Sequence, residues 1–140
     1  MELIAPNSTR VLWLDSDDRT VSSGKPFLIE QGWIVDQARN LVEAIDRISR
    51  ASYDAVILDL QLPDTLGTDA WIYIRRLQPN IIGVMTTNSA SLLNLIRVDA
   101  PGLTAYLRKP LPMQVVINTV TEALGKTKLI MQTIDPHIGE

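Results

Sequence analysis

The chain has 140 residues, 46% hydrophobic and 21% charged, with no cysteine and a formal net charge of -3. This size and composition predict one globular domain, and the lack of cysteine excludes disulfides and thiolate metal sites. No run of basic residues is longer than two, which argues against direct nucleic-acid binding. Neither a membrane span of roughly 20 apolar residues nor a signal peptide is present. We therefore expect a soluble cytoplasmic protein.

Short apolar runs alternate along the chain with segments of helical periodicity. The runs are hydrophobic throughout rather than at every second residue, which is typical of strands buried on both faces. We therefore predict an α/β fold, doubly wound, with helices on both faces of a parallel sheet. The predicted strands cover residues 11–14, 33–35, 55–58, 81–85 and 105–107.

Three helices are well marked between these strands. One begins after Asn40, a capping residue with a glutamate three positions later. Another covers about 68–77 and ends before a proline. The last begins after Pro112, carries an apolar stripe and is expected to end at Gly125, which suits a C-terminal cap.

Two segments are less clearly helical. The first predicted helix covers about 18–30, but it contains Gly24 and Pro26, and an interior proline costs about 3 kcal/mol. We expect this helix to be kinked, or to begin properly only at Pro26. The fourth helix should follow Met85 as a short segment with a serine-rich start, closed by a turn over 99–102.

Polar side chains follow four of the predicted strands: Asp15, Asp59, Thr86 and Lys109. Ligands of open parallel sheets bind at this carboxyl edge. Two carboxylates about 4 Å apart repel by roughly 4 kcal/mol at an effective dielectric of 20, so a cation should accompany them. Lys109 supplies one cation and a divalent ion could supply another. A carboxylate beside a magnesium ion and a lysine can attack a phosphoryl donor, and Thr86 could then hydrogen-bond the new phosphoryl group.

The spacing of these residues resembles that of a known family. Pro63 and Gly67 follow Asp59 by four and eight residues, and Tyr106 precedes Lys109 by three. Each feature alone is weak, but in this order they resemble the receiver domains of two-component response regulators. The resemblance covers about 10–125, with residues 1–9 as an N-terminal arm and residues 126–140 as a C-terminal helical extension or tail.

The resemblance implies a flavodoxin-like sheet of five parallel strands in the order 2-1-3-4-5. It also implies Asp59 as the phosphoacceptor, Lys109 as the residue that contacts the phosphoryl group, and Thr86 and Tyr106 as a coupled switch. A cis peptide bond is expected before Pro110. Mg²⁺ is the implied cofactor, and its ligands are Asp15, Asp59 and the backbone carbonyl of Gln61.

One residue departs from the family pattern. Family members usually carry two adjacent acids after the first strand, whereas here Ser16 follows Asp15 and precedes Asp17. A serine hydroxyl is a weaker magnesium ligand than a carboxylate, so we expect a weakened metal site, and whether Ser16 or Asp17 contributes to it is left open. Asp17 and Asp18 are otherwise suited to the N-terminal dipole of the first helix.

Three functions are therefore compared. The first is a phosphoacceptor signalling module, not an enzyme in its own right, which receives a phosphoryl group from a histidine kinase or phosphotransfer protein. The second is a degenerate receiver that binds proteins independently of phosphate, because of Ser16. The third, a flavodoxin-like cofactor binder or a hydrolase, is disfavoured because acids rather than a phosphate cradle follow the first strand. A homodimer through the fourth helix, fifth strand and fifth helix is a further expectation.

Overall fold

The computed structural model describes residues 8–89 and 100–134, with side chains described as far as residue 125. Five strands form one parallel sheet in the order β2-β1-β3-β4-β5. The predicted fold class and strand order are confirmed. The strands are β1 (Arg10–Leu14), β2 (Ile34–Ala38), β3 (Ala55–Asp59), β4 (Ile82–Thr87) and β5 (Ala105–Arg108).

Four helices are described: α1 (Asp18–Glu30), α2 (Leu41–Arg50), α3 (Gly67–Leu77) and the C-terminal helix (Met113–Ile134). The predicted fourth helix, the arm before residue 8 and the tail after residue 134 lie outside the described residues. Among the described helices, none combines the length and apolar character that crossing a bilayer requires.

The sheet separates two apolar clusters. Leu12 and Leu14 of β1 join the cluster on the α2 and α3 side, which also contains Trp71. Val11 and Trp13 point to the other face and pack with residues of α1 and the C-terminal helix. Because strand side chains alternate between faces, a strand that is apolar throughout can serve both clusters, and all five residues of β3 are buried.

The first helix corrects one prediction. It runs unbroken from Asp18 to Glu30 with Pro26 inside it, so the expectation that it begins only at Pro26 was wrong. Gly24 explains part of the difference, because a Cβ there would lie 2.5 Å from Cη2 of Trp13. The glycine lets the helix approach the buried indole, and tertiary packing then overrides weak local propensity. A kink at Pro26 stays a prediction.

The C-terminal helix corrects another prediction. It continues through Gly125 to Ile134, so Gly125 is not its cap. The described glycines with positive φ are Gly32 and Gly102, and a left-handed cap needs such a φ. An interior glycine costs a helix only about 1 kcal/mol, which lets it continue. The segment after Gly125 is helical as far as Ile134, and the division of residues 126–140 from the domain stays a prediction.

Candidate functional site

Four strands deliver polar residues to one edge of the sheet. Leu14 of β1 is paired with Leu58 of β3, so Asp15 and Asp59, the next residues of each strand path, are neighbours. On the other side of β3, Asp59 is paired directly with Thr86 of β4. Lys109 follows β5, and its backbone N–H donates to the carbonyl of Thr87 at 2.7 Å. The predicted convergence at the carboxyl edge is therefore present.

Lys109 joins the two carboxylates. Its Nζ lies 2.8 Å from Oδ2 of Asp15 and 3.0 Å from Oδ2 of Asp59. Asp15 is fully buried, and the side chain of Lys109 is only 7% exposed. In the described part of the chain, Lys109 is the one polar partner of Oδ2 of Asp15. A single ammonium group therefore compensates two carboxylates in a largely dry place. The Lys109–Pro110 peptide bond is cis, as the resemblance implies.

The electrostatics of this cluster follow from burial and pairing. Burial raises the pKa of the Asp15 carboxyl above its usual value, although the hydrogen bond from Lys109 opposes the rise. Burial alone would lower the pKa of Lys109, but its hydrogen bonds to Asp15 and Asp59 outweigh that effect and raise it. Lys109 is therefore a permanent cation at neutral pH, fixed between two acids.

The loop after Asp59 holds the other oxygen of that carboxylate. The backbone N–H of Gln61 donates to Oδ1 of Asp59 at 3.2 Å. The chain then returns so that the N–H of Gly67 donates to the carbonyl of Leu60 at 2.6 Å. A Cβ at position 67 would collide with the backbone carbonyl of Asp59. This close approach explains why a glycine stands eight residues after the acid.

Thr86 and Tyr106 occupy neighbouring strands. Thr86 is fully buried beside Asp59, and its hydroxyl donates to the carbonyl of Leu58 at 3.4 Å. Tyr106 is paired with Met85 and packs, half-buried, against the cluster on the α2 and α3 side. The structure thus places Thr86 at the site and Tyr106 one strand further away. Their action as a coupled switch stays a prediction.

The residues after Asp15 are used by the first helix. The Asp17 carboxylate caps α1, accepting from the N–H of Arg19 at 3.0 Å and the hydroxyl of Thr20 at 3.1 Å. These bonds lower the pKa of Asp17. Its own N–H donates to Oδ1 of Asp15 at 2.8 Å. Ser16, between them, is exposed. Neither residue adds a second buried carboxylate beside Asp15.

Gln37 is a residue of this region that sequence patterns do not reveal. Its side-chain amide donates to the carbonyl of Asp15 and to Oδ1 of Asp18, each at 3.0 Å. Asp18 also pairs with Arg39 at 3.0 Å. The hydrogen bond from Gln37 and then that from Arg39 lower the pKa of Asp18. Gln37 therefore fastens the start of α1 to the end of β1, and a glutamine in a polar strand end gives no signal of this in the sequence.

The donor set decides whether magnesium fits here. The described residues contain no group of three or more His, Cys, Asp or Glu side chains that could hold a metal ion. However, Mg²⁺ is commonly held by one or two carboxylates and keeps several waters. Asp15 and Asp59 supply two neighbouring carboxylates at the carboxyl edge of the sheet, and the Gln61 backbone lies beside Asp59. The residues present therefore fit a magnesium ion, with one carboxylate fewer than the family pattern offers.

A parallel sheet with a carboxylate pair, a lysine and a threonine at its carboxyl edge defines the receiver class of phosphoacceptor domains. The sequence model of the response regulator receiver domain matches residues 11–121. The chain belongs to this family.

Known relatives agree with the assignment. The chain is 30% identical over 112 residues to the transcriptional regulatory protein ResD of Bacillus subtilis, a match that covers 79% of this chain and 46% of ResD. The chain thus spans about half the length of ResD, and less than two thirds of the length of the other curated relatives that it matches. Its fold resembles a CheY-like receiver domain protein of Methanospirillum hungatei, with a TM-score of 0.78, 28% identity, and coverage of 87% of this chain and 98% of that one. It also resembles the beryllofluoride-activated NtrC4 receiver domain dimer, with a TM-score of 0.76, 26% identity, and coverage of 84% and 97%.

Proposed function

We propose that this domain accepts a phosphoryl group on Asp59 from a histidine kinase or a phosphotransfer protein and then switches a protein-interaction surface. The bridge that Lys109 makes between Asp15 and Asp59, at 2.8 and 3.0 Å, is the observation that carries the proposal. It brings a nucleophilic carboxylate and a fixed cation together at the sheet edge where the family binds its phosphoryl group.

The chemistry uses both oxygens of Asp59. An oxygen of the carboxylate attacks phosphorus, the P–N bond of the donor phosphohistidine breaks, and the histidine nitrogen keeps the electron pair. The N–H of Gln61 holds Oδ1, which orients the carboxylate, and Lys109 stabilises the charge that builds on the phosphoryl oxygens. A magnesium ion bound by Asp15, Asp59 and the carbonyl of Gln61 would neutralise those oxygens further.

The switch follows from the added charge. A phosphoryl group brings about -1.5 to -2 charges into a site beside Thr86, whose hydroxyl is bonded weakly to the carbonyl of Leu58 at 3.4 Å. Thr86 gains a stronger acceptor when it turns toward the phosphoryl group. Tyr106, on the adjacent strand, then moves into the space that the Thr86 side chain leaves, and this changes the surface of β5 and its neighbours.

Partners are proposed by the same reasoning. The domain catalyses at most its own phosphotransfer and dephosphorylation, so its partner is a kinase or a phosphotransfer protein. A cleft of about 540 Å³ between α1 and the C-terminal helix opens beside Lys109, and the half-exposed Phe27 on its wall offers apolar contact to a donor. A homodimer is proposed as well, because the NtrC4 receiver domain is a dimer, and we propose the fourth helix, β5 and the C-terminal helix as its face.

The second candidate is a receiver that binds its partner without phosphate. Ser16 favours it, because it is exposed and the nearby Asp17 carboxylate caps α1 instead of facing the metal position. Acetyl phosphate with and without Mg²⁺ separates the two candidates. Magnesium-dependent labelling of Asp59 supports the phosphoacceptor, and an unlabelled protein at saturating Mg²⁺ supports the degenerate receiver.

A further inference from the structure

Three backbone N–H groups at the start of α2, those of Leu41, Val42 and Glu43, donate to side-chain oxygens, although the start of a helix leaves such groups without partners inside the helix. The side chain of Asn40 accepts from Glu43 at 2.8 Å, and the Asn40 carbonyl accepts from Ala44. The first two N–H groups, of Leu41 and Val42, donate to the carboxylate of Asp64 at 3.1 and 3.3 Å.

Asp64 does not belong to α2. It lies 22 and 23 residues further along the chain, in the loop that follows Asp59. Each of its two carboxylate oxygens accepts from one of two adjacent N–H groups at the positive end of the helix dipole, and the negative charge of the carboxylate strengthens both bonds. Asn40 alone would have capped the helix, so the contact from Asp64 adds a connection between two elements.

Hydrogen bonds within the loop between Asp59 and α3 connect Asp64 to the backbone next to Asp59. The N–H of Leu62 donates to the carbonyl of Thr65 at 3.2 Å, and Gln61 and Leu66 form an isolated antiparallel bridge. Asp64 lies at the tip of this folded loop, and Gln61 lies at its base against Asp59. A displacement of Asp64 should therefore also displace the backbone of Gln61, which orients the Asp59 carboxylate.

We propose that Asp64 is a positioning residue, which anchors the phosphoacceptor loop on the N-terminus of α2 and thereby sets the backbone of Gln61 against Asp59. The expected effect on magnesium binding rests on the proposed function, because Gln61 is also the proposed carbonyl ligand of magnesium. Linkage makes the effect reciprocal, so metal or phosphoryl binding at Asp59 should also change the environment of Leu41 and Val42.

Two variants separate positioning from helix capping. Asp64→Ala removes the connection, whereas Asn40→Ala removes the cap on Glu43 and leaves Leu41 and Val42 free to bind Asp64. Amide hydrogen exchange, followed by NMR in metal-free protein, reports on Gln61 directly. Asp64→Ala should speed the exchange of Gln61 relative to the core amides, and Asn40→Ala should leave it at the wild-type value. Equal exchange of Gln61 in the two variants would overturn the proposal.

Magnesium affinity provides the second readout. Asp64→Ala should weaken Mg²⁺ binding, measured by calorimetry, by about 10-fold, the usual effect of losing an outer-shell partner. Asp64→Asn keeps one carbonyl acceptor and should rescue part of the loss, while Asn40→Ala should bind like the wild type. If the wild type binds Mg²⁺ and Asp64→Ala binds it equally well, the inference is overturned. If the wild type binds none, the proposed function is what fails, and the exchange of Gln61 still decides the role of Asp64.

Discussion

Carboxylates lie at both ends of the parallel strands, but their hydrogen-bond partners differ between the two ends. At the carboxyl edge, Asp15 and Asp59 share one buried ammonium group. At the opposite edge, Asp54 accepts from the backbone N–H of Arg10 at 2.8 Å, and the hydroxyl of Tyr53, which precedes β3 there, donates at 2.7 Å to Asp36 in the middle of β2. Each acid there has its own uncharged donor.

The difference separates acids that hold the fold together from acids that suit the proposed phosphoacceptor site. Burial, and then the hydrogen bond to Asp36, raise the pKa of Tyr53 to about 12, so the phenol stays protonated at neutral pH and donates to Asp36. The two acids at the carboxyl edge repel each other and depend on a cation. A pair of carboxylates that share one cation contributes little to stability, but it is suited to binding a phosphoryl group together with a metal ion.

The largest expected effect is that of Asp59→Asn. The change removes the nucleophilic carboxylate and keeps its shape, so labelling by acetyl phosphate should fall to background. Thermal stability should stay level or rise, because the cluster loses one repelling charge. Intact mass and a melting curve check both parts. A variant labelled at the wild-type rate would remove Asp59 from its role.

Lys109→Ala should affect both function and stability. Phosphotransfer to Asp59 should become slower, or it should no longer cause the rearrangement of Thr86 and Tyr106. Mg²⁺ binding should survive or tighten slightly. Losing one member of a buried ion pair should reduce the free energy of unfolding at neutral pH by about 3 kcal/mol. Phosphorylation kinetics and denaturant titration measure the two effects, and unchanged values of both would contradict the role of the lysine.

The same variant carries a pH dependence of definite sign. Burial raises the pKa of Asp15 and Lys109 opposes the rise, so in Lys109→Ala the pKa should rise further. A group whose pKa is higher in the folded state binds more protons there than in the unfolded chain. The variant should therefore recover stability relative to the wild type as pH falls through that raised pKa. Denaturant titrations between neutral and acidic pH test this, and a gap that widens on acidification would contradict it.

Ser16→Asp tests how the number of carboxylates at the carboxyl edge affects magnesium binding. A third carboxylate should tighten Mg²⁺ binding and, without metal, destabilise the fold by on the order of 1 kcal/mol. Calorimetry and melting curves with and without Mg²⁺ measure both. Equal magnesium affinity in the two proteins would mean that position 16 does not face the metal.

Tyr53→Phe is the matched change at the opposite edge and should have the smallest effect. It removes the hydroxyl that donates to Asp36 and should cost about 1 kcal/mol of stability. Labelling of Asp59 should stay at the wild-type rate, which phosphorylation kinetics can check. A marked loss of labelling would show that the two edges are not independent.

Much of the fold was predictable because it depends on pattern. Apolar runs gave the five strands, and the order of polar strand ends gave Asp15, Asp59, Thr86 and Lys109 as one cluster. Those residues converge because parallel strands end at the same edge, so their spacing along the chain was enough.

One of the failures concerns a tertiary contact that outweighs local preference. Pro26 predicted an interrupted helix, but the packing of Gly24 on Trp13 supports a continuous one. Gly125 predicted a helix end, yet the helix continues past it. The connections from Gln37 and Asp64 join residues more than 15 positions apart, and one sequence contains no signal for such pairs.

The most direct test of the phosphoacceptor assignment is peptide mapping of the wild-type protein after incubation with acetyl phosphate, once with Mg²⁺ and once with a chelator. Asp59 and its cation are already in place, so one phosphoryl group should appear on the peptide that contains Asp59, and only when Mg²⁺ is present. Absence of the label at saturating Mg²⁺, or a label on another residue, would contradict the account.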